Sequence, residues 1–374
     1  MHILINASNL KRGGALQVAD SICCLLGAHV DHRFTVVLSS AMDATAGRIG
    51  RFANVSVVRH DVRNDWRTLL LGRDRVMDGL VRERGIDAVL TVFGPSRWVP
   101  ECLHVSGFAR SQLVIPDSPY YARRRPAHVR LAEALARRLL QFYFKRCAQV
   151  YFTENPYITE RLRLLLPRHR VYTVTNYYNQ VYDHPEQWLP QPLPPFAGTT
   201  LLTVTAAYPH KNLPIAIDVA RILRRDHPEF AFRFVMTIGR GEFPAMEPEL
   251  EAHFHFTGRV DIARCPSLYR QADVMFQPTL LECFTATYPE AMKMQVPIVT
   301  TDIEFARGLC GPAARYYSPL SPEDAARAIY EVATDGALRR SLVENGRRQL
   351  LCFDSYEERV EKLLKIVEKE FRGA

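Results

Sequence analysis

Two glutamates bound the chemistry open to this chain. Glu282 and Glu290 lie in the stretch "LECFTATYPEA" (281–291), between an apolar run, "ADVMFQP", and a helical pattern, "EAMKMQVP". In an open parallel sheet, ligands bind outside the carboxyl ends of the strands. The apolar run ends at Pro278, which makes "TLLECFTATY" a strand-to-helix loop at that end. The following helix is predicted to start near Thr285 to Thr287, with either threonine as its cap and Pro289 in its first turn. Glu282 then sits on the loop and Glu290 in the first turns of the helix. Backbone N–H groups left free at a helix start, together with the dipole, suit an anion such as a diphosphate. A carboxylate beside them accepts hydrogen bonds from sugar or ribose hydroxyls. The competing reading makes Glu290 a complement to the helix N-terminus and Glu282 a solvated loop residue.

Such loops need strands and helices to hold them. "MHILINA", "RFTVVLSS", "NVSVVRH", "IDAVLTVFG", "SQLVIPD", "QVYFTE" and "RVYTVTN" are short apolar runs separated by loops or helical patterns. "TTLLTVTAAY", "FAFRFVMTIG", "FHFTGRV", "DVMFQP" and "VPIVTTD" repeat the design in the second half. Continuous apolar strands alternating with helices imply parallel sheets covered on both faces. Five prolines between 185 and 195 can continue neither helix nor central strand. The expected organisation is a first Rossmann-like domain over 1–182, a linker over 183–199, a second domain over 200–354, and a last helix over 355–374 that could pack back onto the first domain. The fold class is α/β, two doubly wound parallel-sheet domains facing across a cleft.

Composition narrows the setting. The chain has 374 residues, above the roughly 250 at which a single core usually stops growing. No run approaches the roughly 18 consecutive apolar residues of a membrane span, and the first residues lack a signal-peptide layout. Eight scattered cysteines without a CxxC pair read as reduced core thiols of a cytosolic protein, with no metal site expected. The net charge of +8 is uneven: 26 Lys and Arg face 16 acids up to residue 195, and 22 face 24 beyond it. Residues 120–148 hold the densest part, Arg123, Arg124, Arg125, Arg130, Arg137, Arg138, Lys145 and Arg146 against Glu133 alone, interleaved with leucines and phenylalanines. A basic amphipathic helix of this kind suits an anionic membrane surface. A core-packed helix with a solvated basic face is the alternative. No nucleic-acid-binding motif accompanies the charge.

The segment "TGRVDIARCPSLYRQADVMFQPTLLECFTATYPEAMKMQVPIVTTD", with "AAYPHKNLPIAIDVARIL" upstream and "CGPAARYYSPLSPEDAARAI" downstream, resembles the signature region of family-4 retaining glycosyltransferases of the GT-B fold. Their hallmark is two glutamates separated by seven residues. The resemblance implies that Glu290 binds the ribose hydroxyls of a sugar nucleotide and Glu282 the hydroxyls of the transferred sugar. It also implies that the backbone of Phe284 and Thr285 approaches the diphosphate. The chain departs from that pattern at Cys283 and Thr285, where glycines are common. Lys211 in "YPHKNL" would neutralise the leaving diphosphate, with Arg259 as a candidate helper. Gly13-Gly14, after the first strand, resembles the family's glycine loop beside donor and acceptor. Asp117, expected at the end of the strand "SQLVIPD", is a candidate acceptor-side acid, with a cap or turn role as competitor.

The implied reaction moves a sugar from a nucleotide-sugar co-substrate, UDP- or GDP-linked, to a glycan or polyprenyl-linked acceptor with retention of configuration. No Asp-x-Asp occurs in the chain, so metal-independent chemistry without a bound cofactor is expected. The expected setting is cell-surface polysaccharide or glycolipid assembly, in the cytoplasm or peripherally on the cytoplasmic face of the membrane. A nucleotide-sugar epimerase on the same fold, or a non-catalytic nucleotide-sugar or glycan-binding relative, are the alternatives.

Overall fold

The computed structural model of the chain describes every residue except 12, 63, 64, 123–125 and 374. Arg123, Arg124 and Arg125 of the basic segment therefore lie outside the described residues. The chain divides into two compact units: Met1–Pro116, Arg124–Asn176 and Asp354–Ala374 form the first, and Asp117–Arg123 with Tyr177–Phe353 the second.

The first unit is built on β1 (His2–Ala7), β2 (Arg33–Leu38), β3 (Val55–Arg59), β4 (Ala88–Thr91), β5 (Leu103–Gly107), β6 (Val150–Thr153) and β7 (Arg170–Thr173). Their order is β3-β2-β1-β4-β5-β6-β7 with parallel pairing throughout, Ile5 lying opposite Val36 on one side and Leu90 on the other. The period-2 alternation of strands sorts the side chains between two covered faces. Ile3 and Ile5 pack with Ala19 and Ile22 of the helix Gly14–Leu25 and with Val360, Leu363 and Val367 of the helix Tyr356–Arg372. Leu4, Val37 and Val89 pack on the opposite side with Met77 and Val81 of the helix Arg75–Arg84 and with Trp98.

The helix Tyr356–Arg372 is fixed at the carboxyl end of this sheet by a buried polar group. Arg359 is 3% exposed. Its guanidinium donates to the side-chain oxygen of Asn176, just beyond β7, and to Ser21 Oγ (2.8 Å) on the helix Gly14–Leu25. Glu154, just beyond β6, faces the same guanidinium and hydrogen-bonds Asn176. Asp354 Oδ2 accepts from the Thr175 N–H (2.7 Å) and hydroxyl (2.9 Å).

The second unit repeats the winding with β8 (Thr199–Thr203), β9 (Phe232–Met236), β10 (Phe254–Phe256), β11 (Val274–Gln277), β12 (Ile298–Thr301) and β13 (Ala314–Tyr317). The order is β10-β9-β8-β11-β12-β13, again all parallel. Leu201, Phe234 and Phe276 form its core with Ala216, Val219 and Leu223 of the helix Ile215–Asp226 and Ala325, Ile329 and Val332 of the helix Pro322–Thr334. Both sheets carry a strand-order reversal, between β1 and β4 and between β8 and β11, where doubly wound folds place ligands.

One predicted strand is absent. "SQLVIPD" forms a short helix, Ser111–Val114, followed by a turn, and the strand next to β4 is "LHVSG" instead. An apolar run this short does not separate helix from strand by periodicity. Asp117 accordingly does not end a strand; it is exposed and lies in the short segment that groups with the second unit. All eight cysteines are free, five of them buried.

Candidate functional site

β8 and β11 are neighbours at the switch point of the second sheet, and the loops that leave them are stitched together. The Leu280 N–H donates to the carbonyl of His210 (2.8 Å). Thr279, fully buried, donates its hydroxyl to Glu282 Oε1 at 3.1 Å, and its own carbonyl accepts from Thr301 Oγ1 at 2.6 Å. Pro278 ends the strand ladder, so the chain turns off the sheet and presents Glu282 where β8's loop presents Lys211. The Lys211 ammonium pairs with Glu282 Oε1, each side chain only 13% exposed. His210 Nε2 is 3.9 Å from the same oxygen.

His210 belongs to a small aromatic set. Tyr208 stacks on its ring at 5.6 Å and Tyr120 meets it edge-on at 6.4 Å. Ser118, on the same short segment as Tyr120 and Asp117, donates to the carbonyl of Leu280 at 2.6 Å. Burial lowers the His210 pKa, with the Lys211 charge adding to that and Glu282 opposing it. A neutral imidazole beside an ammonium–carboxylate pair is the result near pH 7.

Glu290 lies elsewhere. The helix Thr287–Lys293 starts from Ala286, and neither threonine caps it; Thr285 and Thr287 instead bond to each other, Oγ1 to Oγ1, at 2.9 Å. Threonines two apart satisfy each other before either reaches a backbone N–H. Glu290 is 3% exposed and covered by two tyrosines. The Tyr269 hydroxyl donates to its Oε2 at 3.1 Å. The Tyr182 hydroxyl pulls on the same carboxyl electrostatically but falls outside hydrogen-bond geometry, which leaves that phenol without a partner. Burial, against both phenols, pushes the Glu290 carboxyl up to about 7. Tyr182 also lines an open groove of about 370 Å³, together with Trp188, Arg270, Lys293 and Gln295 among others. The structure thus joins Lys211 to Glu282 and leaves Glu290 closed off from solvent.

Residues 189–349 match the family model described as glycosyl transferases group 1. That match covers 161 of the 374 residues and lies within the second half of the chain. Along its whole length it is also similar to solved structures. A glycosyltransferase from Rickettsia africae superposes with a TM-score of 0.71 at 12% identity, covering 100% of this chain and 99% of that one. Sucrose-phosphate synthase from Thermosynechococcus elongatus gives 0.69 at 12% identity, with 100% and 99% covered. A protein described as a UDP-N-acetylglucosamine 2-epimerase, from Listeria monocytogenes, gives 0.57 at 13% identity, with 100% and 97% covered. These likenesses establish the fold, the pair of Rossmann-like domains of GT-B proteins. No match was found among curated proteins.

Lys211, Glu282 and Glu290 all fall inside the stretch that matches the group 1 model, as do Cys283, Phe284, Thr285 and Arg259. Cys283 and Thr285 are buried, and the half-buried Phe284 meets Phe353 edge-on at 6.2 Å. Neither 283 nor 285 is among the positive-φ positions, so side chains there cost no backbone strain and no glycine is required. Arg259, exposed, follows Gly258, which does take a positive φ of 70°. Gly13 and Gly14 belong to the first unit, where Gly13 holds φ 78° at the start of the helix Gly14–Leu25. Gly14 has open space where a Cβ would lie. Sequence reasoning passed over His210, Thr279 and the two tyrosines. His210 stood beside Lys211 in "PHKN"; Tyr182 stood within a stretch read as domain end and linker, with no spacing to mark it.

Proposed function

We propose that this chain transfers a sugar from a UDP- or GDP-linked donor to a glycan or lipid-linked acceptor, with retention of configuration and without a metal ion. The observation that carries the reading is the Lys211–Glu282 pair at the β8/β11 switch point, inside the domain that matches group 1 glycosyl transferases. In that reaction the acceptor hydroxyl attacks the anomeric carbon from the face the diphosphate leaves. The bond from that carbon to the diphosphate oxygen breaks, and this oxygen takes the acceptor's proton. Lys211 meets the negative charge that grows on the leaving oxygen. Glu282 holds the ammonium in place and accepts from hydroxyls of the transferred sugar. Thr279, bonded to Glu282, fixes the carboxylate's orientation. A ribose-binding role for Glu290 requires Tyr182 and Tyr269 to give way, so the reading leans on the other two residues.

The epimerase alternative shares the fold, as the Listeria structure illustrates, while the family match favours transfer. Incubation with a panel of UDP- and GDP-sugars, with and without acceptor glycans or polyprenyl phosphates, separates them. Release of the nucleotide only with acceptor, an axial product from an axial donor by NMR, and indifference to EDTA are expected. Donor conversion to a second sugar nucleotide without acceptor would assign the epimerase reaction instead.

A further inference from the structure

The first unit presents an apolar surface that its own core does not use. On the helix Ala127–Cys147, Leu131, Leu135, Leu139 and Phe142 recur at steps of four, four and three and share one face. That stripe runs about 17 Å along the axis at 1.5 Å per residue. A separate helical turn, residues 66–71, adds Trp66, Leu70 and Leu71, and these seven side chains are between 51% and 68% exposed. Arg146 connects the two parts: its guanidinium lies 5.8 Å from the Phe142 ring and donates to the carbonyl of Leu70 at 2.6 Å. Only Tyr143, Phe144 and Cys147 of the helix are buried, so its amino-terminal half stands clear of the sheet it follows. Cations rim the face. Arg130, Arg138 and Lys145 are exposed on the helix, Arg67 sits 5.3 Å over the Trp66 ring, and Glu133 is the helix's one acid.

We infer that this face docks the protein on an anionic phospholipid surface, with Trp66, Leu70, Leu71 and the leucine stripe entering the headgroup–acyl boundary. Monomeric proteins rarely leave this much contiguous apolar side chain in water, and a tryptophan beside arginines is the pattern of an interfacial anchor. The cationic rim decides the partner. A second copy of the chain docked through the same face would bring Arg138 and Lys145 against their own kind, whereas phosphate headgroups neutralise them. No helix among the described residues is long and apolar enough to cross a membrane, so the contact is peripheral. The inference stands apart from the transferase reading, since vesicle binding needs no donor.

The test is co-sedimentation of the full chain with phosphatidylcholine vesicles containing phosphatidylglycerol, against phosphatidylcholine alone. Binding to the anionic vesicles at least tenfold tighter than to the neutral ones is expected, weakening with salt. A blue shift of tryptophan fluorescence on binding, lost in Trp66→Phe, is also expected. Leu135→Glu with Leu139→Glu, both at exposed positions, lowers the affinity at least tenfold, and Arg138→Glu with Lys145→Glu does the same without touching the apolar stripe. Equal binding to the two vesicle types, or a double-glutamate variant that binds as the parent does, overturns the proposal. So does a parent of twice the chain mass in solution that becomes single in the double-glutamate variant, which assigns the face to self-association.

Discussion

Glu154 in the first unit and Glu290 in the second are both buried, 6% and 3% exposed, and burial pushes both carboxyls up to about 7. Their surroundings differ in kind. Glu154 faces the guanidinium of Arg359, whose own pKa burial pulls down to about 10, and shares Asn176 with it. Glu290 faces the phenols of Tyr182 and Tyr269 and the thiol of Cys265. One carboxyl answers a buried charge; the other is a buried acid that, among the described residues, is set by burial and two phenols rather than by a cation. The same shifted pKa therefore accompanies opposite roles. Glu154 belongs to the clamp that holds the final helix to the sheet, and Glu290 is a group whose ionised form the fold resists. A third carboxylate, Glu282, completes the contrast, since it meets the Lys211 ammonium with each side chain 13% exposed.

Replacing each group separates these roles. Glu154→Gln takes from the buried Arg359 guanidinium the first of the carboxylates that face it, leaving Asp354, Glu357 and the bonds to Asn176 and Ser21, and urea unfolding should show a loss of about 1.5–3 kcal/mol, largely restored when Arg359→Met is added. A loss below about 1 kcal/mol would break the comparison, because Glu154 would then resemble Glu290. Lys211→Ala should lower donor turnover on the order of 100- to 1000-fold, measured as nucleotide release, with Glu282→Gln falling in the same direction. For Glu290 the sign is reversed. Its folded pKa lies above the usual 4.5, so between those two values the folded state binds more protons than the unfolded one, and stability falls as pH rises. Glu290→Gln should remove that decline and stabilise the protein on the order of 1–3 kcal/mol above pH 7, with little effect near pH 4. Unfolding midpoints at acid and alkaline pH check it. The smallest effect belongs to Tyr269→Phe. It deletes the hydroxyl that donates to Glu290, costs about 1 kcal/mol above pH 7, and moves the carboxyl's titration further up.

The fold was legible where apolar runs were long and uninterrupted. β1, β4, β8 and β11 are largely buried, and their apolar runs "ILI", "AVL", "LL" and "VMF" mark them as strands covered on both faces. "LHVSG" escaped because His104 and Ser106 are polar, although both are fully buried as part of β5. The site was legible to the extent that strand-to-helix loops carried it. Lys211 and Glu282 each follow a recognisable strand, so adjacency of β8 and β11 in the sheet brings their loops together. The tyrosine cover of Glu290 was not legible. Tyr182 comes from beyond the far end of the first sheet's strands, and no periodicity links it to the helix it packs against.

The helix Tyr356–Arg372 supplies Val360, Leu363 and Val367 to a core whose other side chains come largely from the first hundred residues. During synthesis, β1 to β5 emerge before that helix and stay unsealed along the seam until residues 356–372 follow, whereas the unbroken stretch Tyr177–Phe353 can close beforehand. Of the two units, the one whose strands are made earlier is finished later, and in the meantime Ile3, Ile5 and their neighbours are a target for chaperones.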